Sequence, residues 1–204
     1  MTTTKIFGHT IHQIRCPSEH WYNSSNLKNS IDTILNLSEI KNRVRGHVWD
    51  SHYGEGETSE VVPYLGPANI PDAKDIANWV KQQAAQVLGV DSVIIDRSWT
   101  NRMNKGSQGR CHQHIGDAVG LATPDLVAVF YVSNTSTGSS LVIVNEDHTG
   151  ELPSNIPENN KAYITPLSGD LIMHGPNVYH AVSEHNSPEP RICFVYQICV
   201  SPLD

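Results

Sequence analysis

Residues 169–200 read GDLIMHGPNVYHAVSEHNSPEPRICFVYQICV. Two apolar runs, 170–174 and 192–200, flank a stretch punctuated by Gly175, Pro176, Pro188 and Pro190. Short apolar, β-branched runs bounded by Gly and Pro predict strands joined by turns. Gly175 and Pro176 frame a turn that returns the chain to the core, with His180 entering the next strand. Moving toward the N-terminus, SVIIDRSW (92–99), LVAVFYV (126–132), LVIV (141–144) and AYITP (162–166) have the same character. The stretch 133–139 reads as a turn and the polar 145–160 as a long loop.

The first half is less regular. Over 26–37, Leu27, Ile31, Ile34 and Leu35 recur at near-helical spacing and predict a short helix. Over 71–89, Asp72 is placed as the cap, Ala77, Val80, Ala84 and Leu88 form one apolar face, and Gly89 stops the helix. The polar stretch 42–66 predicts a loop with room for one short strand. Gly54–Glu60 and 145–160 are the loops expected to move most. Helices followed by many short strands imply a mainly β sandwich or barrel with supporting helices. One domain is expected over 1–204, with a helical and loop part at 1–91 and a β core at 92–204.

Composition narrows the function classes. With 38 % hydrophobic and 17 % charged residues, the 204-residue chain has the balance of a globular domain. A net charge of −7 without any Lys or Arg block argues against a nucleic-acid partner. No apolar run approaches the roughly 18 residues of a membrane span. The opening MTTTKIFGHTIHQ lacks the basic start and apolar core of a signal peptide. A cytoplasmic protein is expected. Cys16, Cys111, Cys193 and Cys199 form no CxxC pair, so they are expected to be reduced thiols.

Histidine is the unusual residue, with eleven in the chain. In Cys111-His112-Gln113-His114, alternate positions of an extended strand point to one face, so His112 and His114 can aim at one point. His180 supplies a distant third imidazole. Imidazole suits Fe(II), Zn, Cu and Ni, and such a set leaves half the coordination sphere open. Arg191 begins an apolar strand, where a cation needs an anionic partner.

From Ser98 onward, about half of the chain resembles the Fe(II)/2-oxoglutarate-dependent oxygenases. SWTNRMNKGSQGRCHQHIGD (98–117) looks like the segment leading into the first metal-binding strand of small bacterial and phage members. VFYVSNTSTGSSLVI (129–143) looks like the following strand, Gly-bearing turn and strand. PLSGDLIMHGPNVYHAVSEHNSPEPRICFVYQI (166–198) resembles the closing pattern, with His180 in the place of the distal His and Arg191 in that of the cosubstrate Arg. The resemblance implies a double-stranded β-helix (jelly roll), Fe(II), 2-oxoglutarate as cosubstrate, and use of O2 to hydroxylate a C–H bond of a small molecule or peptide. A guanidinium offers the distal carboxylate a planar, permanently charged, two-pronged partner. Asn101 and Tyr131 are candidate hydrogen-bond partners for the cosubstrate, on strands thought to flank the H-x-H strand. Cys193 shares the face of Arg191.

One position departs from the family pattern, which is H-x-D or H-x-E. His114, water, or Asp117 completes the site; Asp117 sits three residues on and needs a bulge to reach the metal. His174 stands where the family has an apolar or aromatic residue and reads as pocket lining or structural. Arg191 has an alternative as an ion-pair partner of Glu184 or Glu189. Trp49, His52 and Tyr53 read as surface residues, with a substrate lid as the alternative. Two rival functions stay open. Gly106 followed by His112-x-His114 also matches the opening of a cupin motif, and a cupin needs no Arg191. A jelly roll that only binds is the other. The substrate and the oligomeric state are not legible.

Overall fold

The computed structural model describes residues 1–37, 40, 52–53, 56–60, 65–115 and 123–201. With strands numbered in chain order, one antiparallel sheet has the spatial order β1 (Thr2–Ile6), β2 (His9–Arg15), β10 (Asp170–His174), β7 (Leu126–Ser133), β12 (Arg191–Val200), β5 (Val93–Met103), β4 (Gly56–Thr58). The second has the order β3 (His52–Tyr53), β6 (Gln108–His112), β11 (His180–Val182), β8 (Leu141–Val144), β9 (Lys161–Ile164). Strands adjacent in space alternate between distant parts of the chain, and the two sheets form a jelly roll.

The central strands are buried on both faces, and their alternate residues join two separate clusters of the core. Leu126, Ala128, Phe130 and Val132 of β7 join Phe194, Tyr196 and Ile198 of β12 against a helical layer. Val127, Val129 and Tyr131 join Cys193 and Val195 on the opposite, inner face. Among the described residues the α-helices include α1 (Glu19–Asn23), α2 (Ser25–Leu35) and α3 (Lys74–Leu88), and these bury Leu27, Ile31, Ile76 and Val80. Among the described residues no helix is long and apolar enough to cross a membrane.

Four sequence expectations change. Residues 2–15 are a β-hairpin that joins the large sheet, with β2 paired to β10, so strands begin well before residue 92. Asp72 does not cap α3; a 3-10 turn over Pro71–Ala73 precedes that helix, and Asp72 accepts a 2.6 Å hydrogen bond from Ser30 Oγ. Among the described residues between 42 and 66 there are two short strands, β3 and β4. The 145–160 segment is folded onto the small sheet. The Cys111 and Gly150 backbone N–H groups donate to Glu151 and Cys111 carbonyls at 2.8 Å, and Ile156 packs with Cys111, Val142 and Ala181.

Candidate metal and cosubstrate site

Strand β6 ends at His112, directly opposite His180 of β11 in the register. The two strands approach closely at Gly109, where a Cβ would lie 2.9 Å from the Val182 side chain. Any larger residue there pushes β6 and its histidine away. His114 lies just beyond the strand, and its N–H donates to Pro176 O at 2.9 Å. The Gly175-Pro176 turn thus holds the second histidine of the H-x-H pair beside the third. One ligand atom from each of His112, His114 and His180 lies within 4.8 Å of the others. Three imidazole nitrogens this close together are the donor set that a single divalent ion would take.

Two of these rings are fixed by backbone carbonyls. His112 Nδ1 lies 2.9 Å from Arg110 O, and His180 Nδ1 lies 3.0 Å from Val178 O. A carbonyl can only accept, so the proton sits on Nδ1 and Nε2 keeps its lone pair. His114 Nδ1 instead meets the side-chain amide of Gln197, at 3.1 Å. Burial, reinforced for His114 and His180 by neighbouring imidazoles, holds all three below the ordinary imidazole value. They are neutral at pH 7, the form that binds a metal.

His174 is a fourth member of the cluster. Its ring lies 4.8 Å from that of His180 and 6.4 Å from that of His114. It is fully buried, its Nδ1 is 2.8 Å from Gly175 O, and its Nε2 has no protein partner among the described residues. Burial pushes it down to about 4. It belongs to the lining, outside the group of three convergent ligand atoms.

The other end of the interior is built on β12. Arg191 is 2 % exposed and points to the same face as Cys193. Among the described residues no carboxylate pairs with it, neither Glu184 nor Glu189. Its Nη1 contacts Met103 Sδ at 3.3 Å, its Cζ sits 5.0 Å from the Tyr131 ring centroid, and its Nε has no partner. Asn101 and Tyr131 are the register neighbours of Cys193 on either side. They reach the interior from the large sheet and do not flank the H-x-H strand as expected. Asn101 Oδ1 and the Tyr131 hydroxyl are likewise buried without partners among the described residues, and burial pushes Tyr131 up to about 12. A buried guanidinium, a phenol and an amide with unmet hydrogen bonds are costly unless a ligand meets them. A dicarboxylate, rich in acceptors and negatively charged, fits the Arg191 and Tyr131 donors, while Asn101 Oδ1, itself an acceptor, needs a donor.

Sequence reasoning missed Gln197 and the role of Asp170. Asp170, the Asp of the Gly-Asp pair, is structural: it takes Arg15 at 3.2 Å and Gln13 at 3.1 Å from β2, and the Leu167 N–H at 2.8 Å. Asp117 and Trp49 lie outside the described residues, as do the side chains of His52 and Tyr53.

Comparison with known proteins follows the same line. A family model of 2OG-Fe(II) oxygenases matches residues 97–197. No curated protein matches the chain. Among solved structures, HygX from Streptomyces hygroscopicus, with nickel and 2-oxoglutarate bound, is 14 % identical with a TM-score of 0.59, covering 94 % of this chain and 83 % of its own. Another HygX structure also holds hygromycin B. A Pseudomonas putida prolyl-4-hydroxylase is 13 % identical at a TM-score of 0.59, covering 95 % and 94 %. EctD from S. alaskensis, with 2-oxoglutarate and 5-hydroxyectoine, is 16 % identical at 0.58, covering 93 % and 72 %. Likeness at such identities speaks for the fold.

Proposed function

This chain belongs to the 2OG-Fe(II) oxygenase superfamily, and from that premise we propose that it hydroxylates a C–H bond of a small molecule or peptide. His112, His114 and His180 hold Fe(II), and Arg191 holds the distal carboxylate of 2-oxoglutarate with Tyr131 and Asn101 beside it. The observation that carries this reading is Arg191: a permanent charge, 2 % exposed, with no carboxylate partner among the described residues, on the inner face between the sheets. A cupin or an inert jelly roll has no use for that charge.

When bound, the metal and cosubstrate supply the oxidation: O2 is consumed, 2-oxoglutarate becomes succinate and CO2, and the substrate gains one oxygen atom. The protein supplies orientation and exclusion of water. The Arg110 and Val178 carbonyls keep the protons of His112 and His180 on Nδ1. Arg191 fixes the far end of the cosubstrate, so its keto-acid end has one approach to the histidines. Val129, Ile143, Ile172 and Val195 wall the interior with apolar surface.

Anaerobic titration of 2-oxoglutarate into the Fe(II) protein should produce a metal-to-ligand charge-transfer band. Oxygen should then release succinate only when the cosubstrate is present. His114→Asp should keep the iron, because residue 114 stands where the family places a carboxylate, and His114→Ala should weaken it. Protein that binds Fe(II) but shows no cosubstrate-dependent band would sink the oxygenase reading.

A further inference from the structure

Gln197 is an isolated polar residue in the apolar run ICFVYQICV (192–200). It is 8 % exposed and faces inward, opposite Arg97 of β5 and Val127 of β7. Its amide is 3.1 Å from His114 Nδ1. The Nδ1 atoms of His112, His174 and His180 all meet backbone carbonyls, at 2.9, 2.8 and 3.0 Å. A carbonyl leaves no choice of tautomer, whereas an amide does. Its oxygen accepts, its nitrogen donates, and a half-turn of the terminal group exchanges them.

The two orientations have opposite consequences. With the amide nitrogen toward Nδ1, as here, His114 accepts there and keeps its proton on Nε2. That Nε2 has no lone pair for a metal. With the oxygen toward Nδ1, the proton moves to Nδ1 and Nε2 becomes a ligand. The orientation of one amide therefore sets whether the third imidazole is available.

We infer that Gln197 is a two-position latch on His114: its nitrogen faces the ring before the metal binds, and its oxygen faces the ring afterward. This rests on the three-histidine metal site proposed above. Gln197 is a positioning residue, since it acts only through His114. The neighbouring His112 and His180 have no such latch.

The test reads tautomers directly. Protein labelled with 15N-histidine is observed by long-range 1H–15N NMR, metal-free and with Zn(II) as a diamagnetic probe. His114 should carry its proton on Nε2 without Zn(II) and on Nδ1 with it. In Gln197→Glu, whose carboxylate only accepts, the proton should sit on Nδ1 in both states. Gln197→Met should weaken Zn(II) binding by about 10–100-fold, the usual effect of losing a partner behind a metal-bound histidine. In a His114→Ala background, Gln197→Met should change the affinity by less than about threefold, because its route to the metal is gone. A His114 proton on Nδ1 in both states of the wild type overturns the latch, as does an equal loss with and without His114. Wild type that binds no Zn(II) overturns the metal site itself, a separate and recognisable failure.

Discussion

Strands β7 and β12 each have two faces, built from the same residues taken alternately, and the two faces behave as different materials. Outward, Phe130, Phe194 and Ile198 meet helices and satisfy themselves by packing. Among the described residues, the unpartnered polar atoms on that side include the Thr100 and Tyr196 hydroxyls and Arg102 Nε, and the Arg102 charge is met by Asp32 and Glu57. Inward, Arg191 Nε, the Tyr131 hydroxyl, Asn101 Oδ1 and His174 Nε2 are all buried without partners among the described residues, and one of those groups carries a full charge. One face holds the fold together. The other retains polar groups that folding alone does not satisfy, as expected of a surface built for a ligand.

The sharpest break between the faces should come at the histidines. His180→Ala should abolish Fe(II) binding, measured as metal content after anaerobic loading, while circular dichroism still shows a folded protein. Retention of stoichiometric iron in both His180→Ala and His112→Ala would refute the assignment. Next in size is the outer face. Phe194→Ala removes a fully buried ring and should cost about 3–5 kcal/mol in urea unfolding. Its affinity for 2-oxoglutarate should remain near wild type, provided folding persists; a large affinity loss in folded protein would erase the distinction.

Arg191→Ala should invert that pattern. The iron stays, and 2-oxoglutarate affinity falls by roughly 30-fold or more, on the order of 2–5 kcal/mol. Arg191→Lys should recover only part of this, since an ammonium lacks the two-pronged geometry. An unaffected titration in Arg191→Ala would remove the reason for the buried charge.

The smallest effect concerns acid. Burial holds His112, His114, His174 and His180 below the ordinary value of 6.5, His174 at about 4. Between those values the unfolded chain binds more protons than the folded one. Stability is therefore full above about pH 6.5 and is lost as pH falls toward 4. His174→Phe removes one such group. Between pH 7 and pH 4 the variant should lose roughly 3 kcal/mol less than wild type, at about 1.36 kcal/mol per pH unit per proton. Equal acid sensitivity would show that His174 is not held neutral by its surroundings.

The sequence made the late strands legible because each is apolar and bounded by turn residues. It hid β2 for a physical reason. Ile11 belongs to the inner cluster and Ile14 to the outer one, so its two anchors face opposite ways and produce no alternation. The hairpin turn at Phe7-Gly8, where Phe7 takes φ of 51°, gives little warning besides the glycine. The His112-x-His114 pair was legible as a candidate from strand spacing, because alternate residues share a face, while His180 and Arg191 were placed as candidates by resemblance to the oxygenases' closing pattern. Gln197 was not, since a lone glutamine fits no motif. Its even offset from Arg191 along one strand was the available signal.

Strand β12 carries both ends of the proposed site, with Arg191 at its start and Gln197 six residues on, about 20 Å at the rise of an extended strand. Side chains on such a strand change sides with every residue. Adding or removing a single residue between these two would turn either the guanidinium or the amide out of the interior and swing aromatic rings in. Substitution can therefore drift along this segment, but its residue count cannot. In descent, chain-length changes should accumulate in the connecting loops, while the interval from Arg191 to Gln197 is passed on unaltered in number.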